Sequence, residues 1–293
     1  MTPAGLLLID KPEGPTSHDV IDSVRMALGL QRVGHSGTLD PFASGLLLVC
    51  IGWATRLAEY LIALPKTYIG LIRLGERTDT DDRTGTVLAR SDAWEGLRRE
   101  ELERALASQV GVIDQRPPDY SAKKVGGRRS YAVAREGGRL ELETRRVTIR
   151  RLQLVEMALP DIRVEIECSS GTYVRAVARD LGEEIGSGAH LRELRRTRIG
   201  DFHVREAILL HGESSEEELR AALRAPAAAT AHLPHLTLDD DAAKAIRHGR
   251  SIAAPGRDAD GSPLALFHDA ALLAIAELRN ERLCPVKVFP VAS

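Results

Sequence analysis

Apolar residues cluster first at 5–9 (Gly-Leu-Leu-Leu-Ile), a short run that predicts a buried strand. The cluster Asp10-Lys11-Pro12-Glu13-Gly14-Pro15 then marks a turn. Thr16-Ser17 opens a helix whose apolar positions Val20, Val24 and Leu28 repeat every four residues. Residues 34–41 (Gly-His-Ser-Gly-Thr-Leu-Asp-Pro) read as a loop, and the unbroken apolar run 45–51 as a second buried strand. A helix is predicted over 55–63, an alternating strand over 67–74, an acidic loop over 75–85 and a charged amphipathic helix over 98–108. Residues 146–156 and 162–168 alternate strongly and predict strands, followed by a helix over 173–186. An Ala- and Glu-rich stretch, 213–231, predicts a helical connector. After Pro234 a compact unit carries its own strands at 263–267, 272–278 and 286–289. Short strands interleaved with few helices, without regular βαβ spacing, predict an α+β fold with a mixed or antiparallel sheet. The expected domains are 1–232 and 233–293.

Composition adds limits. At 293 residues the chain can form two ordinary domains. With 43% hydrophobic and 28% charged residues it is globular rather than disordered. Cys50, Cys168 and Cys284 lie far apart with no CxxC pair, which argues against a disulfide scaffold or a thiolate zinc site. The first ten residues hold too short an apolar run for a signal peptide, and no run reaches membrane-spanning length. A cytoplasmic location with no membrane association is the expectation.

Net charge is −2, which by itself argues against a polyanion ligand. The distribution argues the other way. From Lys123 to Arg151 ten basic residues stand against three glutamates. A polyanion feels that local field rather than the total. The segment 115–145, rich in Pro, Gly, Ser and Arg, is the best candidate for a projecting element. A merely solvated basic face is the plainer alternative.

Among single residues, Asp40 lies in a glycine-framed loop backed by an apolar strand, a way to hold a carboxylate for reaction. A turn aspartate before proline is the simpler reading of the same residue. Arg175, where a strand gives way to a helix, can hold a carboxylate in a bidentate pair or can sit on a helix surface. Asp79, Asp81 and Asp82 invite a calcium reading, but Arg83 and Thr84 stand where such a loop needs an oxygen ligand and a glycine. No GxSxG, P-loop or GxGxxG motif is found, so no metal and no cofactor is expected.

Five segments in order carry a resemblance. They are Asp10-Lys11-Pro12-Glu13-Gly14-Pro15-Thr16-Ser17; Gly34-His35-Ser36-Gly37-Thr38-Leu39-Asp40-Pro41-Phe42-Ala43-Ser44-Gly45-Leu46-Leu47; Lys66-Thr67-Tyr68 with Leu74-Gly75-Glu76-Arg77-Thr78-Asp79-Thr80-Asp81-Asp82; Pro117-Pro118-Asp119-Tyr120-Ser121-Ala122-Lys123-Lys124; and Gly171-Thr172-Tyr173-Val174-Arg175 with Leu194-Arg195-Arg196-Thr197-Arg198-Ile199-Gly200. Over about residues 5–210 the chain resembles the tRNA pseudouridine-55 synthases, the TruB-type family. The tail after 233 resembles, more loosely, a small β-rich PUA-type RNA-binding domain.

The resemblance implies a reaction in which uracil is detached from its ribose, turned and rejoined through carbon, at uridine 55 of the tRNA T-arm loop. That is an isomerisation needing neither redox cofactor nor group donor. It implies that Asp40 is the essential catalytic aspartate, acting at the anomeric carbon, at the uracil ring or on a sugar proton. Arg175 would pair with it, and Tyr68 would stack on the flipped base and take part in proton transfer. His35 would fill the place the base vacates. Tyr173 and Leu194 would line the substrate pocket, and Lys11 would brace it. Asp82 matches a family acid, and the basic segment with Lys123, Lys124 and Arg128 corresponds to the family's inserted RNA-binding element, which closes on the T-loop. The expected partner is the tRNA T-arm stem–loop alone, bound by a monomer with no obligate protein partner. Two other classes compete: an RNA-binding or RNA-folding protein without essential chemistry, and a glycoside hydrolase, for which only Asp82 offers a second carboxylate.

Overall fold

The structure is a computed structural model that describes residues 3–118, 143–210, 215–254 and 261–290, together with the backbone of 124–125 and 128–129. In chain order the elements begin with β1 (Gly5–Lys11), α1 (Ser17–Leu28), β2 (Val33–His35), β3 (Ser44–Ile51), α2 (Ala58–Ile62), β4 (Lys66–Leu74), β5 (Glu76–Thr78) and β6 (Val87–Arg90). They continue with α3 (Arg99–Ser108), β7 (Gly111–Gln115), β8 (Lys124–Val125), β9 (Arg128–Arg129), β10 (Arg145–Ala158), β11 (Asp161–Cys168), α4 (Val174–Ile185), β12 (Ala189–Ile199), β13 (Phe202–His203) and β14 (Ile208–Leu209). The last are α5 (Glu216–Ala221), β15 (His235–Thr237), α6 (Asp240–Arg247), β16 (Ile252–Ala253), β17 (Pro263–His268), β18 (Ala271–Arg279) and β19 (Arg282–Val288). Among the described residues no helix is long and apolar enough to cross a membrane.

A ten-stranded sheet runs β14-β1-β3-β12-β4-β11-β10-β7, with β2 added to β3 and β13 to β12. It is mixed: β3–β12 and β1–β14 are parallel, the other pairs antiparallel. The uninterrupted apolar runs of β1 and β3 have a physical reason, because both faces of these strands are covered. Leu7, Ile9, Leu47, Val49 and Ile51 pack under α1 through Val20, Ile21, Val24 and Leu28. Leu6, Leu8, Leu46, Leu48 and Cys50 face the other way, onto Ala265, Leu272, Ile275 and Phe289 of the C-terminal part. That part is a five-stranded sheet, β15-β17-β18-β19-β16. Trp53 stacks on Phe289 at 4.7 Å between ring centroids, and Arg56 lies over the same ring. Arg56 Nη1 donates to Val288 O at 2.8 Å, and Lys287 pairs with Glu59. Helices α3 and α4 cover the far half of the large sheet around Ile72, Leu102, Leu106, Ile149, Ile166 and Leu181.

The mixed-sheet α+β expectation agrees with this architecture, and several local expectations change. The helix expected at 55–63 is a 3-10 turn over Gly52–Leu57 followed by the five residues of α2. The acidic loop contains β5, paired with β6. The 213–231 connector is not one helix: α5 has six residues, and a 3-10 turn follows at Pro226–Thr230. Strand β12, central in the sheet, was not expected at all. Four arginines break its apolar pattern, and register shifts at Leu191/Glu193 and Arg196/Arg198 break its alternation. Residues 119–123, with Lys123, lie outside the described residues. Lys124 and Arg128 are known only as backbone of the β8–β9 pair.

Close backbone approach explains Gly45. Its φ is +107°, and an added Cβ would stand 2.3 Å from Arg196 O and 2.7 Å from Arg196 N. Gly45→Ala is therefore expected to destabilise the fold by at least about 2 kcal/mol in urea unfolding, by strain and by separating β3 from β12. An unchanged midpoint would mean the two strands can part without cost.

Candidate active site

The loop carrying Asp40 is tied down on three sides. Ser17 at the start of α1 accepts from Leu39 N at 2.8 Å and donates to Leu39 O at 3.1 Å. Helix α1 starts there because Thr16 and Asp19 form a reciprocal cap: Asp19 N donates to Thr16 Oγ1 at 3.1 Å and Thr16 N to Asp19 Oδ2 at 2.8 Å. The turn before α1 holds the loop through Gly14 N, which donates to Pro41 O at 2.8 Å. From β12, Arg196 reaches under the loop. Its Nε donates to Leu46 O at 2.7 Å, Nη2 to Gly37 O at 3.1 Å and Nη1 to Thr38 O at 3.4 Å.

Lys11, expected to brace the substrate pocket, does not face outward. It is fully buried, and its Nζ donates to Pro12 O and Pro15 O, each at 2.8 Å, and to Pro41 O at 3.4 Å. It holds the two loops together. Burial lowers its ammonium to about 8, with Asp40 opposing that fall.

A cavity of about 280 Å³ opens beside this loop. Its lining includes Asp40, Tyr68, Tyr173, Arg175 and Leu194, all expected at the substrate pocket. Lys66, Arg196 and the Ser169–Thr172 turn also line it, and sequence reading had assigned these no role. His35 lies on β2 outside the lining. Its imidazole is half-buried, with Nδ1 unpartnered and its pKa lowered chiefly by burial, so it is neutral near pH 7.

Three residues from distant parts of the chain form a charge chain. Arg175, on the first turn of α4, is 5% exposed. Its Nη2 donates to Asp40 Oδ1 at 3.3 Å, while Nε sits 3.1 Å from Asp40 Oδ2 as an ion contact. Its Nη1 donates to Asp82 Oδ2 at 3.2 Å and to Thr80 O at 3.0 Å. Asp82 is buried, and its Oδ1 accepts from Thr84 N at 2.9 Å, Thr80 Oγ1 at 2.8 Å and Thr84 Oγ1 at 2.6 Å. Asp82 is thus held on every side, whereas Asp40 keeps 36% of its side chain open at the cavity floor. The aspartate that can be reached is Asp40.

Electrostatics favour a reactive rather than a resting carboxylate. Burial raises the Asp40 pKa above the ordinary aspartate value; Arg175 and Lys11 pull it back and Asp82 adds to the rise. Desolvation wins, and the paired guanidinium only limits the increase. Tyr68 is buried on β4, its phenol pKa raised first by burial and opposed by Arg196, so it is a neutral proton donor near pH 7. Tyr173 caps α4 and is fixed by Gln115, whose Oε1 accepts from Tyr173 N at 2.8 Å and whose Nε2 donates to Tyr173 O at 3.1 Å. The cavity therefore combines a desolvated carboxylate, a phenol, an apolar wall at Leu194 and buried cations. That set suits a flat polar ring.

Comparison with known proteins places the chain in a family. Residues 25–174 match the model of the TruB family pseudouridylate synthase N-terminal domain, and 175–225 that of the tRNA pseudouridylate synthase B C-terminal domain. The chain is 43% identical to a tRNA pseudouridine synthase B of Mycobacterium sp. (strain KMS), covering 90% of this chain and 92% of that one. It is likewise 43% identical to the protein of the same name from Rhodococcus jostii (strain RHA1), covering 99% and 95%. Among solved structures, a chain of an H/ACA RNP bound to a substrate RNA containing 2′-deoxyuridine superposes with a TM-score of 0.75. The identity is 26%, over 98% of this chain and 85% of that one. A chain of a Cbf5-Nop10-Gar1 complex gives a TM-score of 0.74 at 27% identity, over 98% and 84%.

Proposed function

This chain belongs to the TruB family, isomerases that make pseudouridine in tRNA, and on that premise we propose that it converts uridine 55 of the T-arm loop by flipping the base into the Asp40 cavity. The observation that carries the reading is the convergence of Asp40, Tyr68, Arg175, Tyr173 and Leu194 on one cavity. Asp40 is the essential carboxylate, ionised when the reaction starts. Arg175, anchored by Asp82, aims it. Tyr68 stacks on the flipped ring and handles a proton. Flipping costs a few kcal/mol, and one stacked base returns about 1–3 kcal/mol, so the cavity's polar contacts and the RNA backbone contacts supply the rest. His35 enters the stack the base leaves, and Lys11 acts by holding its loop rather than by touching RNA.

The basic segment around Lys123, Lys124 and Arg128 neutralises phosphates of the T-arm, and residues 233–293 serve as a PUA-like RNA-binding unit. The protein works as a cytoplasmic monomer. Phosphate contacts give affinity and salt dependence, while shape and unstacked bases give specificity.

Incubating the protein with an unmodified T-arm stem–loop, then mapping pseudouridine by nucleotide, tests the reading. One modified position, at 55, is expected. A loop left unmodified, or modified only elsewhere, refutes the assignment. Tyr68→Ala is expected to cut single-turnover rate about 100-fold or more while weakening RNA binding by less than about tenfold. Equal losses in both would make Tyr68 a packing residue.

A further inference from the structure

Two cations are buried in the cavity wall without an anion. Arg196 is fully covered and Lys66 nearly so. Among the described residues Arg196 donates to the main-chain oxygens of Leu46, Gly37 and Thr38, and its guanidinium also bonds to the Tyr68 phenol. Lys66 Nζ donates to Leu64 O at 2.6 Å and to Ile62 O. Among the described residues neither pairs with a carboxylate, whereas Arg175, Arg179 and Arg195 each pair with at least one aspartate. Burying charge in this way is costly, and proteins ordinarily pair it. Burial first and Arg196 second lower Lys66 to about 8, so the two charges lie close enough to repel. Both retain N–H groups, because a guanidinium carries five donors and an ammonium three.

Register sets them beside the ring-binding residue. Arg196 on β12 stands directly opposite Tyr68 on β4. Lys66 precedes Tyr68 by two residues and shares its face of the strand. Both line the same cavity as Asp40.

The isomerisation places negative charge at that spot by any of its routes. If Asp40 attacks the anomeric carbon, the C1′–N1 bond breaks and its electron pair leaves on the ring. If Asp40 takes the C2′ proton, the same pair leaves on the ring. If Asp40 adds at C6, the C5–C6 pair moves onto C5 and the C4 oxygen. The charge is consumed when C5 bonds to C1′, and the C5 proton then departs. We propose that Arg196 and Lys66 are the anion-stabilising groups of the reaction, holding the negatively charged uracil ring between its two bonds to ribose. This rests on the pseudouridine reading above. Fixed donors in a dry site, placed where charge develops, are the most effective form of such stabilisation.

The test compares T-arm stem–loops carrying uridine or 5-fluorouridine at the target, in single turnover, reading loss of the starting nucleoside. Fluorine draws charge off the ring and so replaces part of what the cations supply; it also blocks the last proton loss, which the readout does not require. Arg196→Met is expected to slow uridine by about 100-fold or more. Its effect on 5-fluorouridine should be at least about tenfold smaller. Lys66→Met should show the same asymmetry, and it carries the comparison if Arg196→Met does not fold. Equal slowing of both substrates, or slowing of neither, would reduce Arg196 and Lys66 to braces of the Asp40 loop and overturn the proposal. If the wild-type protein makes no pseudouridine from the uridine stem–loop, the underlying function fails instead.

Discussion

Asp40→Asn is expected to abolish pseudouridine formation, by about 10⁴-fold or more, equivalent to at least ~5 kcal/mol of transition-state stabilisation. RNA binding should be retained, because the amide has the same size and the carboxylate contributes chemistry rather than affinity. The same variant should melt no lower than wild type. The sign follows from the raised pKa. A folded value above the unfolded one gives stability that is full below the unfolded pKa and is lost as pH rises through the folded pKa. At neutral pH the ionised Asp40 therefore burdens the fold, and a neutral isostere relieves it. Loss of product with intact binding and an equal or higher melting temperature fits a site that trades stability for reactivity. Product formation at the wild-type rate would remove Asp40 from the mechanism, and a large fall in melting temperature would make it structural.

Arg175→Met is expected to be nearly as damaging, for two reasons. It leaves Asp40 and Asp82 facing one another in a buried site, and removing one partner of such an arrangement costs about 3–5 kcal/mol of stability. It also removes the largest influence that lowers the Asp40 pKa, so the fraction ionised at neutral pH falls. A rate loss of about 100- to 1000-fold is expected, with part of it recovered at higher pH. Asp82→Asn acts in the opposite direction on Asp40, because Asp82 raises its pKa. Its acid limb should move down while the rate at pH 7 falls through misplacement of Arg175. Rate losses unaccompanied by opposite shifts in the two pH profiles would break the link between Asp82, Arg175 and Asp40.

Much of this was legible in the chain, for identifiable reasons. The apolar runs of β1 and β3 and the four-residue spacing of α1 follow from burial on both strand faces and on one helix face. Asp40, Tyr68 and Arg175 came from motif resemblance, and each motif lies on a different element of one cavity. Strand β12 stayed hidden because its arginines make long-range contacts. Arg192 reaches Asp161 and Arg195 reaches Asp10, contacts made across the sheet that leave no local apolar pattern. Arg196 and Lys66 were unassigned for a similar reason. Their importance lies in what they lack, a carboxylate partner, and that depends on register between strands more than a hundred residues apart. Lys11, implied by its motif to brace the site, is buried and donates to carbonyls of both loops.

Single-turnover rates measured across pH on the T-arm stem–loop test most directly whether an ionised, desolvated Asp40 performs the reaction. The expected profile falls on the acid side at a pH above the ordinary aspartate value of about 4, and Arg175→Lys moves that limb further up. A rate that stays level through pH 4, or an acid limb indifferent to residue 175, would contradict it.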